Sequence, residues 1–378
     1  MKIVFTGGGT GGHFYPIIAV AEEINAIIRE RKLINVKLYY FSDTPYDETA
    51  LFENNIQFQR IRSGKWRRYF SLRNFIDLFK ITWGTLTAMV QLYLIYPDIV
   101  FSKGGYTSGP VVFAARLLRI PIFIHESDSR PGRVNLWAGR FAQRIALSYA
   151  EAADFFGPER QKMIAVTGNP LRHSLRYPLS QGAREFLGLT ENIPVLLIVG
   201  GSQGAEAINE VVVDALPALV EHYGVIHQTG AVNLKAVEKR TRIVLENNKL
   251  VGRYKLFAFL NPSALRMAAG AAALVVSRAG SIIFEIAAWR LPAILIPIPE
   301  TISHDQRSNA FTYARSGAAV VIEQNNLLPT VLVSEINRLI SQPPLLETMR
   351  AAAGGFAKPQ AARLIADELM AIALSHER

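Results

Sequence analysis

The sequence predicts an α/β chain of two Rossmann-like domains, each built on a parallel, doubly wound sheet. Three observations carry that expectation. Short apolar runs rich in β-branched residues alternate with helical patterns along the chain, as parallel strands covered on both faces require. A strand, a glycine loop and a helix open the chain at Lys2–Thr6 and Gly7-Gly-Gly-Thr-Gly-Gly12, and the same unit restarts at Pro194–Val199 and Gly200-Gly-Ser-Gln-Gly204. At 378 residues, finally, the chain is too long for one ordinary hydrophobic core.

Composition narrows the class. Half of the residues are hydrophobic and 19% are charged, which suits a globular protein. The absence of cysteine excludes disulfides, thiolate metal sites and cysteine nucleophiles. A net charge of +10 favours an anionic partner, whether nucleotide, nucleic acid or anionic membrane. Residues 1–6 read as a strand rather than a cationic leader with an apolar core, so a cytosolic compartment is expected.

In order, the first half offers strands at Val36–Ser42, Ile56–Ile61, Pro97–Ser102, Pro121–Ile124, Arg144–Ser148 and Met163–Thr167, with a helix from Pro110 to Leu118. In such sheets ligands gather at the carboxyl ends of strands. The first glycine loop, Lys103–Gly109 and His125–Asp128 all fall there. Gly168-Asn-Pro170 reads as a boundary, giving domains of 1–167 and 168–357. Strands at Gly224–Gln228, Lys255–Phe259, Ala273–Val276, Ala293–Pro297 and Ala318–Val321 then build the second sheet. The closing amphipathic segment, within 358–378, either ends the second domain or crosses back onto the first.

The glycine loops carry the chemistry. Free N–H groups and a helix dipole converge on each loop and make it an anion site. Gly7, Gly9 and Gly12 also fit the dinucleotide fingerprint with Asp43 after the second strand, although that carboxylate falls later than the usual ~20 residues. His13 follows the last glycine, where a helix N-terminus disfavours imidazolium and keeps the ring a proton acceptor. In the second half, Glu285 sits early in a helix after Ser277-Arg-Ala-Gly280, and a carboxylate there can accept both ribose hydroxyls. His304-Asp-Gln306 adds polar groups at another loop. No Asp-x-Asp occurs, so glycine loops, helix dipoles and Arg172 would have to hold a diphosphate without a metal. Two such domains with ligands between them describe a nucleotide-sugar glycosyltransferase.

A basic and aromatic stretch runs from Arg60 to Trp83. Arg62, Lys65, Arg67, Arg68, Arg73 and Lys80 alternate there with Trp66, Tyr69, Phe70, Phe75 and Phe79. Cations interleaved with aromatics suit an anionic membrane surface, and no nucleic-acid motif accompanies them. Ile81–Tyr96 is apolar but too short and polar to span a bilayer. It reads either as part of that membrane face or as a crossover helix on the sheet.

Seven motifs, in order and spacing, make the chain resemble the MurG family of glycosyltransferases along essentially its whole length. They are Gly7–His13, Gly104–Pro110, His125-Glu126, Gly168–Arg172, Gly200–Gly204, Ser277–Gly280 with Glu285–Ala288, and Gln306 with Asn309-Ala310. The resemblance implies a GT-B fold, two Rossmann-like domains facing across a cleft. It implies inverting transfer of GlcNAc from UDP-GlcNAc to the 4-hydroxyl of MurNAc in undecaprenyl-diphospho-MurNAc-pentapeptide, at the cytoplasmic face of the plasma membrane and with no cofactor. His13 is then the general base. Donor contacts fall to Thr10, Gly11, Gly12, Asp128, Arg172, Ser202, Gln203, Gly204, Leu260 (through its backbone, to uracil), Ser281, Ile282, Glu285, Asp305 and Gln306. Acceptor contacts fall to Gly8, Gly9, Lys103, Gly104, Gly105, Tyr106, His125 and Glu126, and the membrane contact to Lys65, Trp66, Arg67, Arg68, Phe75 and Phe79. Asp128 stands where the family carries an amide, with Arg130 or Arg133 as its expected partner, and Arg290 where glycine is frequent. Another membrane-associated lipid glycosyltransferase, an NAD-dependent oxidoreductase and a non-catalytic nucleotide-sugar binder are the alternatives.

Overall fold

The computed structural model describes residues 1–64, 73–200, 205–301 and 306–375. The chain divides into two compact units, Met1–His173 with Lys358–Arg378, and Ser174–Ala357. The first unit therefore runs beyond Thr167 and includes the Gly168–Arg172 motif.

The first unit holds seven parallel strands: β1 (Lys2–Thr6), β2 (Lys37–Ser42), β3 (Ile56–Arg60), β4 (Ile99–Ser102), β5 (Ile122–Glu126), β6 (Arg144–Leu147) and β7 (Ile164–Val166). Their order is β3-β2-β1-β4-β5-β6-β7. The reversal between β1 and β4 is the switch point at which ligands collect in open α/β sheets. Both faces are covered. Ile3, Phe5, Phe101 and Phe123 pack with Ile17 and Ile24 of the helix Gly11–Glu30 on one side. On the other, Val4, Val100 and Ile124 pack with Val111, Ala115, Ala88 and Leu92.

The last two of those residues belong to the helix Arg73–Ile95, which contains the ambiguous 81–96 stretch. Gly84, Ala88 and Leu92 recur every fourth residue and form its buried seam. A side chain at Gly84 would collide with the Arg62 carbonyl, its Cβ falling 1.9 Å from that oxygen. The opposite face stays apolar and open, with Trp83, Leu86, Val90, Tyr93 and Leu94 exposed. The segment is thus a crossover helix with an uncovered apolar stripe. No helix among the described residues is long and apolar enough to cross a membrane.

The closing helix Ala361–Ser375 lies in the first unit. Ile365, Leu369 and Met370 join the core of the helix Gly11–Glu30. Ion pairs ring that contact: Arg363 meets both oxygens of Glu30 at 2.9 and 2.7 Å, and Arg144 donates to Glu368 at 2.6 Å. The apolar seam supplies the adhesion, since solvated ion pairs contribute at most about 1 kcal/mol each.

The second unit repeats the plan with β8 (Val195–Val199), β9 (Gly224–Gln228), β10 (Tyr254–Phe257), β11 (Leu274–Ser277), β12 (Ala293–Leu295) and β13 (Ala319–Val321). All pairs are again parallel, in the order β10-β9-β8-β11-β12-β13. Apolar clusters cover both faces, one around Val195, Leu197 and Val275 and the other around Leu196, Ile198 and Leu274.

Candidate active site

In the first unit the functional residues converge at the carboxyl ends of β1, β4 and β5. The helix begins inside the glycine loop, with Thr10 as its N-cap and Gly11 as its first residue. His13 therefore lies in the first turn, its N–H held by the Thr10 carbonyl at 3.2 Å. Thr10 Oγ1 lies 3.0 Å from His13 Nδ1. The other ring edge faces Gly105, whose added Cβ would stand 3.3 Å from Cδ2 and 3.5 Å from Nε2. Gly105 has φ +82°, so both its backbone and its space call for glycine. Gly8 is confined similarly, by Ser42, Tyr40 and Thr107, and Gly9 lies against the Tyr106 ring.

Burial pushes the His13 pKa down to about 4, and the Lys103 ammonium adds to the shift. The ring is half-buried, so it is neutral near pH 7 while still reached from solvent. Desolvation thus leads where the sequence argument placed the helix dipole. Lys103 itself is buried, and its Nζ has no hydrogen-bond partner among the described residues. Desolvation pulls its pKa down to about 8, against the carboxylates of Glu126 and Asp128. Asp128 therefore has the Lys103 ammonium as an electrostatic neighbour, which the sequence had sought in Arg130 or Arg133.

Glu126 is a hub. Its carboxylate accepts the Asp128 N–H at 3.0 Å, the Gly132 N–H at 2.9 Å and the Asn135 side-chain amide at 2.9 Å. Burial and the charge of Asp128 raise its pKa to about 7, opposed by those N–H donors and by Lys103. Asn135 also donates to the His125 carbonyl at 3.1 Å and packs beneath Gly104. This residue escapes sequence reasoning, because a lone asparagine in a short helix carries no signal. His125 is fully buried, and its Nε2 bonds the Gly168 carbonyl at 3.0 Å. Its side chain braces the Gly168–Arg172 motif, and its Nδ1 has no hydrogen-bond partner among the described residues. That motif ends with the Arg172 guanidinium stacked 3.7 Å over the ring of Tyr15, on the helix that begins at Gly11. Tyr106, half-buried, has its pKa raised by burial and by Asp43.

In the second unit the carboxyl ends of β8 to β11 gather the remaining residues. Ser277 Oγ donates to the Val199 carbonyl at 2.8 Å and ties the end of β11 to the strand before the second glycine loop. Arg278 is turned inward, donating to the Ile296 carbonyl at 3.0 Å. Ser281 precedes the helix Ile282–Ala288 without a side-chain capping bond, and the first turn of that helix carries Glu285. Gln306 accepts the Ile298 N–H at 3.3 Å and lies against Gly280. The Leu260 N–H is taken by the side chain of Gln228 at 2.9 Å. Ser202, Gln203, Gly204, Asp305, Lys65, Trp66, Arg67 and Arg68 lie outside the described residues, as do the side chains of Phe75 and Phe79. Among the described residues no three His, Asp or Glu side chains cluster as a metal site would require.

Two Rossmann-type units, each with its polar residues at the carboxyl edge of a parallel sheet, define a GT-B glycosyltransferase fold. The models of the glycosyltransferase family 28 N-terminal and C-terminal domains match residues 3–147 and 195–368, and the chain belongs to that family. It is 34% identical over 382 residues to the UDP-N-acetylglucosamine–N-acetylmuramyl-(pentapeptide) pyrophosphoryl-undecaprenol N-acetylglucosamine transferase of Treponema denticola, covering 97% of this chain and 96% of that one. The protein of the same name from Legionella pneumophila is 38% identical over 339 residues, 89% of this chain and 88% of the relative. Among solved structures, Acinetobacter baumannii MurG superposes with a TM-score of 0.72 at 26% identity, over 98% of this chain and 99% of that one. The oxidoreductase reading of Gly7-x-Gly9-x-x-Gly12 with Asp43 finds no support among these relatives.

Proposed function

We propose that the chain transfers GlcNAc from UDP-GlcNAc to the 4-hydroxyl of MurNAc in undecaprenyl-diphospho-MurNAc-pentapeptide, with inversion at the anomeric carbon. The observation that carries the reading is His13: a neutral imidazole in the first turn of a long helix, backed through Nδ1 by Thr10, in a chain whose relatives bear that transferase name. With Nδ1–H donating to Thr10 Oγ1, Nε2 is the basic nitrogen. It takes the proton of the acceptor hydroxyl as that oxygen bonds to the anomeric carbon. The bond from that carbon to the diphosphate breaks, and UDP departs with the electron pair. Gly8, Gly9, Lys103, Gly104, Gly105 and Tyr106 serve the acceptor, and Gly11 and Gly12 the donor. Ser281, Glu285, Gln306 and the Leu260 backbone serve the donor, and Arg172 faces its diphosphate.

The reading includes no resident metal, so chelation by EDTA leaves turnover unchanged. It also places the chain peripherally at the cytoplasmic face of an anionic membrane. The basic stretch before the helix Arg73–Ile95 and the exposed stripe Trp83, Leu86, Val90, Tyr93 and Leu94 support that placement.

A transfer assay with labelled UDP-GlcNAc and the lipid-linked MurNAc-pentapeptide tests the reaction. Wild-type protein yields labelled lipid-linked disaccharide, while His13→Ala binds UDP-GlcNAc near normally and loses most turnover. An unchanged turnover number removes His13 from the mechanism, and stabilisation by NAD rather than UDP removes the whole reading.

A further inference from the structure

In the helix Gly11–Glu30, Tyr15 follows the first residue by four positions, so the two lie on one face. A helical side chain leans back towards the N-terminus, and the Tyr15 ring accordingly lies against Gly11. A Cβ at Gly11 would stand 3.3 Å from ring atoms Cδ2 and Cε2. The ring is held in place by its neighbours. Phe14 and Tyr46 meet it in T-shaped contacts, with centroids 5.4 and 5.8 Å away, and its hydroxyl donates to Asp47 Oδ2 at 3.4 Å. Over the ring lies the Arg172 guanidinium, its central carbon 3.7 Å from the centroid.

Among the described residues the Arg172 guanidinium has no hydrogen-bond or ion-pair partner. Stacking fixes its plane through the π face and leaves its N–H fork unspent, whereas a carboxylate partner would consume part of that fork. The glutamates of the same helix are engaged by the next residue instead. Glu22 Oε2 accepts the His173 N–H at 2.8 Å, and Glu23 Oε1 meets His173 Nε2 at 2.9 Å. Tyr15 thus carries a cation beside the start of the helix, the positive end of its dipole, and both charges favour an arriving anion. We propose that Tyr15 is a positioning residue for the transfer: its ring holds the Arg172 guanidinium in one plane, with its N–H edge open to phosphate oxygens of the donor diphosphate. The inference rests on the reading that Arg172 faces that diphosphate.

The test measures binding of UDP, and of uridine as the probe without phosphates, by titration calorimetry. It compares wild type, Tyr15→Leu, Tyr15→Phe, Arg172→Gln and the double variant Tyr15→Leu/Arg172→Gln. Leucine removes the π face, so UDP binding weakens by about 5-fold while uridine binding stays within about 2-fold. Phenylalanine keeps the face and restores UDP binding to within about 2-fold of wild type. With Arg172 already replaced, Tyr15→Leu costs nothing further, because the tyrosine acts through the arginine. An equal loss for UDP and uridine overturns the inference, as does an undiminished effect of Tyr15→Leu in the Arg172→Gln background. A phenylalanine variant as weak as the leucine one also overturns it. In the nucleotide-free wild type, the ring current moves the Arg172 side-chain proton resonances upfield. Resonances at ordinary arginine positions overturn the inference whether or not Tyr15→Leu folds. UDP binding unchanged by Arg172→Gln defeats the reading of Arg172 itself, whereas a loss in Arg172→Gln with none in Tyr15→Leu defeats only the inference.

Discussion

Thr10 and His13 form one polar unit, the threonine Oγ1 3.0 Å from the histidine Nδ1 across the first turn of the helix Gly11–Glu30. The sequence had placed Thr10 among the donor contacts. Its hydroxyl also faces the imidazole, and when it accepts from Nδ1–H the basic nitrogen is Nε2. Thr10→Val, close in volume but lacking the hydroxyl, lowers kcat by about 3- to 10-fold, as expected for one lost side-chain hydrogen bond. KM for the donor stays within about 2-fold, and Thr10→Ser restores the rate. Steady-state kinetics on the two variants separate this role from donor binding, which predicts a rise in KM instead.

The buried Lys103 ammonium sets the charge that His13 feels. It lowers the imidazole pKa, so replacing it by methionine removes that push. That change raises the His13 pKa from its present value of about 4. Activity needs the neutral ring, so the acid limb of the kcat/KM profile in Lys103→Met moves to higher pH. A pH–rate series of the two proteins between pH 4 and 8 measures the displacement. Identical acid limbs would show that the ammonium does not act on His13.

His227 makes the second unit sensitive to acid. Burial takes its pKa from the ordinary 6.5 to about 3. Below pH 6.5 the unfolded chain binds a proton at this residue that the folded chain does not, so stability falls as pH drops towards the folded value. Between pH 7 and pH 5 the loss from His227 alone is roughly 2 kcal/mol. Urea unfolding of the whole chain at the two pH values, with Trp289 of the second unit as the reporter, reads the loss as a lower midpoint.

Arg290 carries a left-handed backbone, φ +54°, just beyond the helix Ile282–Ala288. Glycine adopts that conformation freely, whereas a side chain there costs roughly 1 kcal/mol. Arg290→Gly is expected to raise the melting temperature by about 2–4 °C. The gain is reduced by any packing that the arginine stem makes against Gly354. Differential scanning calorimetry measures the balance.

Local pattern determined a large part of this protein. Apolar runs such as Ile3–Phe5 and Leu196–Val199 read as interior strands, and a glycine loop between strand and helix turns free N–H groups toward one point. His13 was legible for the same reason, since its place after Gly12 puts it in the first turn of a helix. Tertiary structure decided what depends on distant partners. The closing helix settles on Gly11–Glu30 because its apolar seam finds Ile17 and Ile24 there. His125 is buried with its Nε2 on the Gly168 carbonyl. The carboxylate hub of Glu126 with Asn135, the lone ammonium of Lys103 and the grip of Gln228 on Leu260 each join residues from different strands or loops. A periodicity reports which face of an element is buried. It does not report which element will lie against that face, and the electrostatics of this site are made by those neighbours.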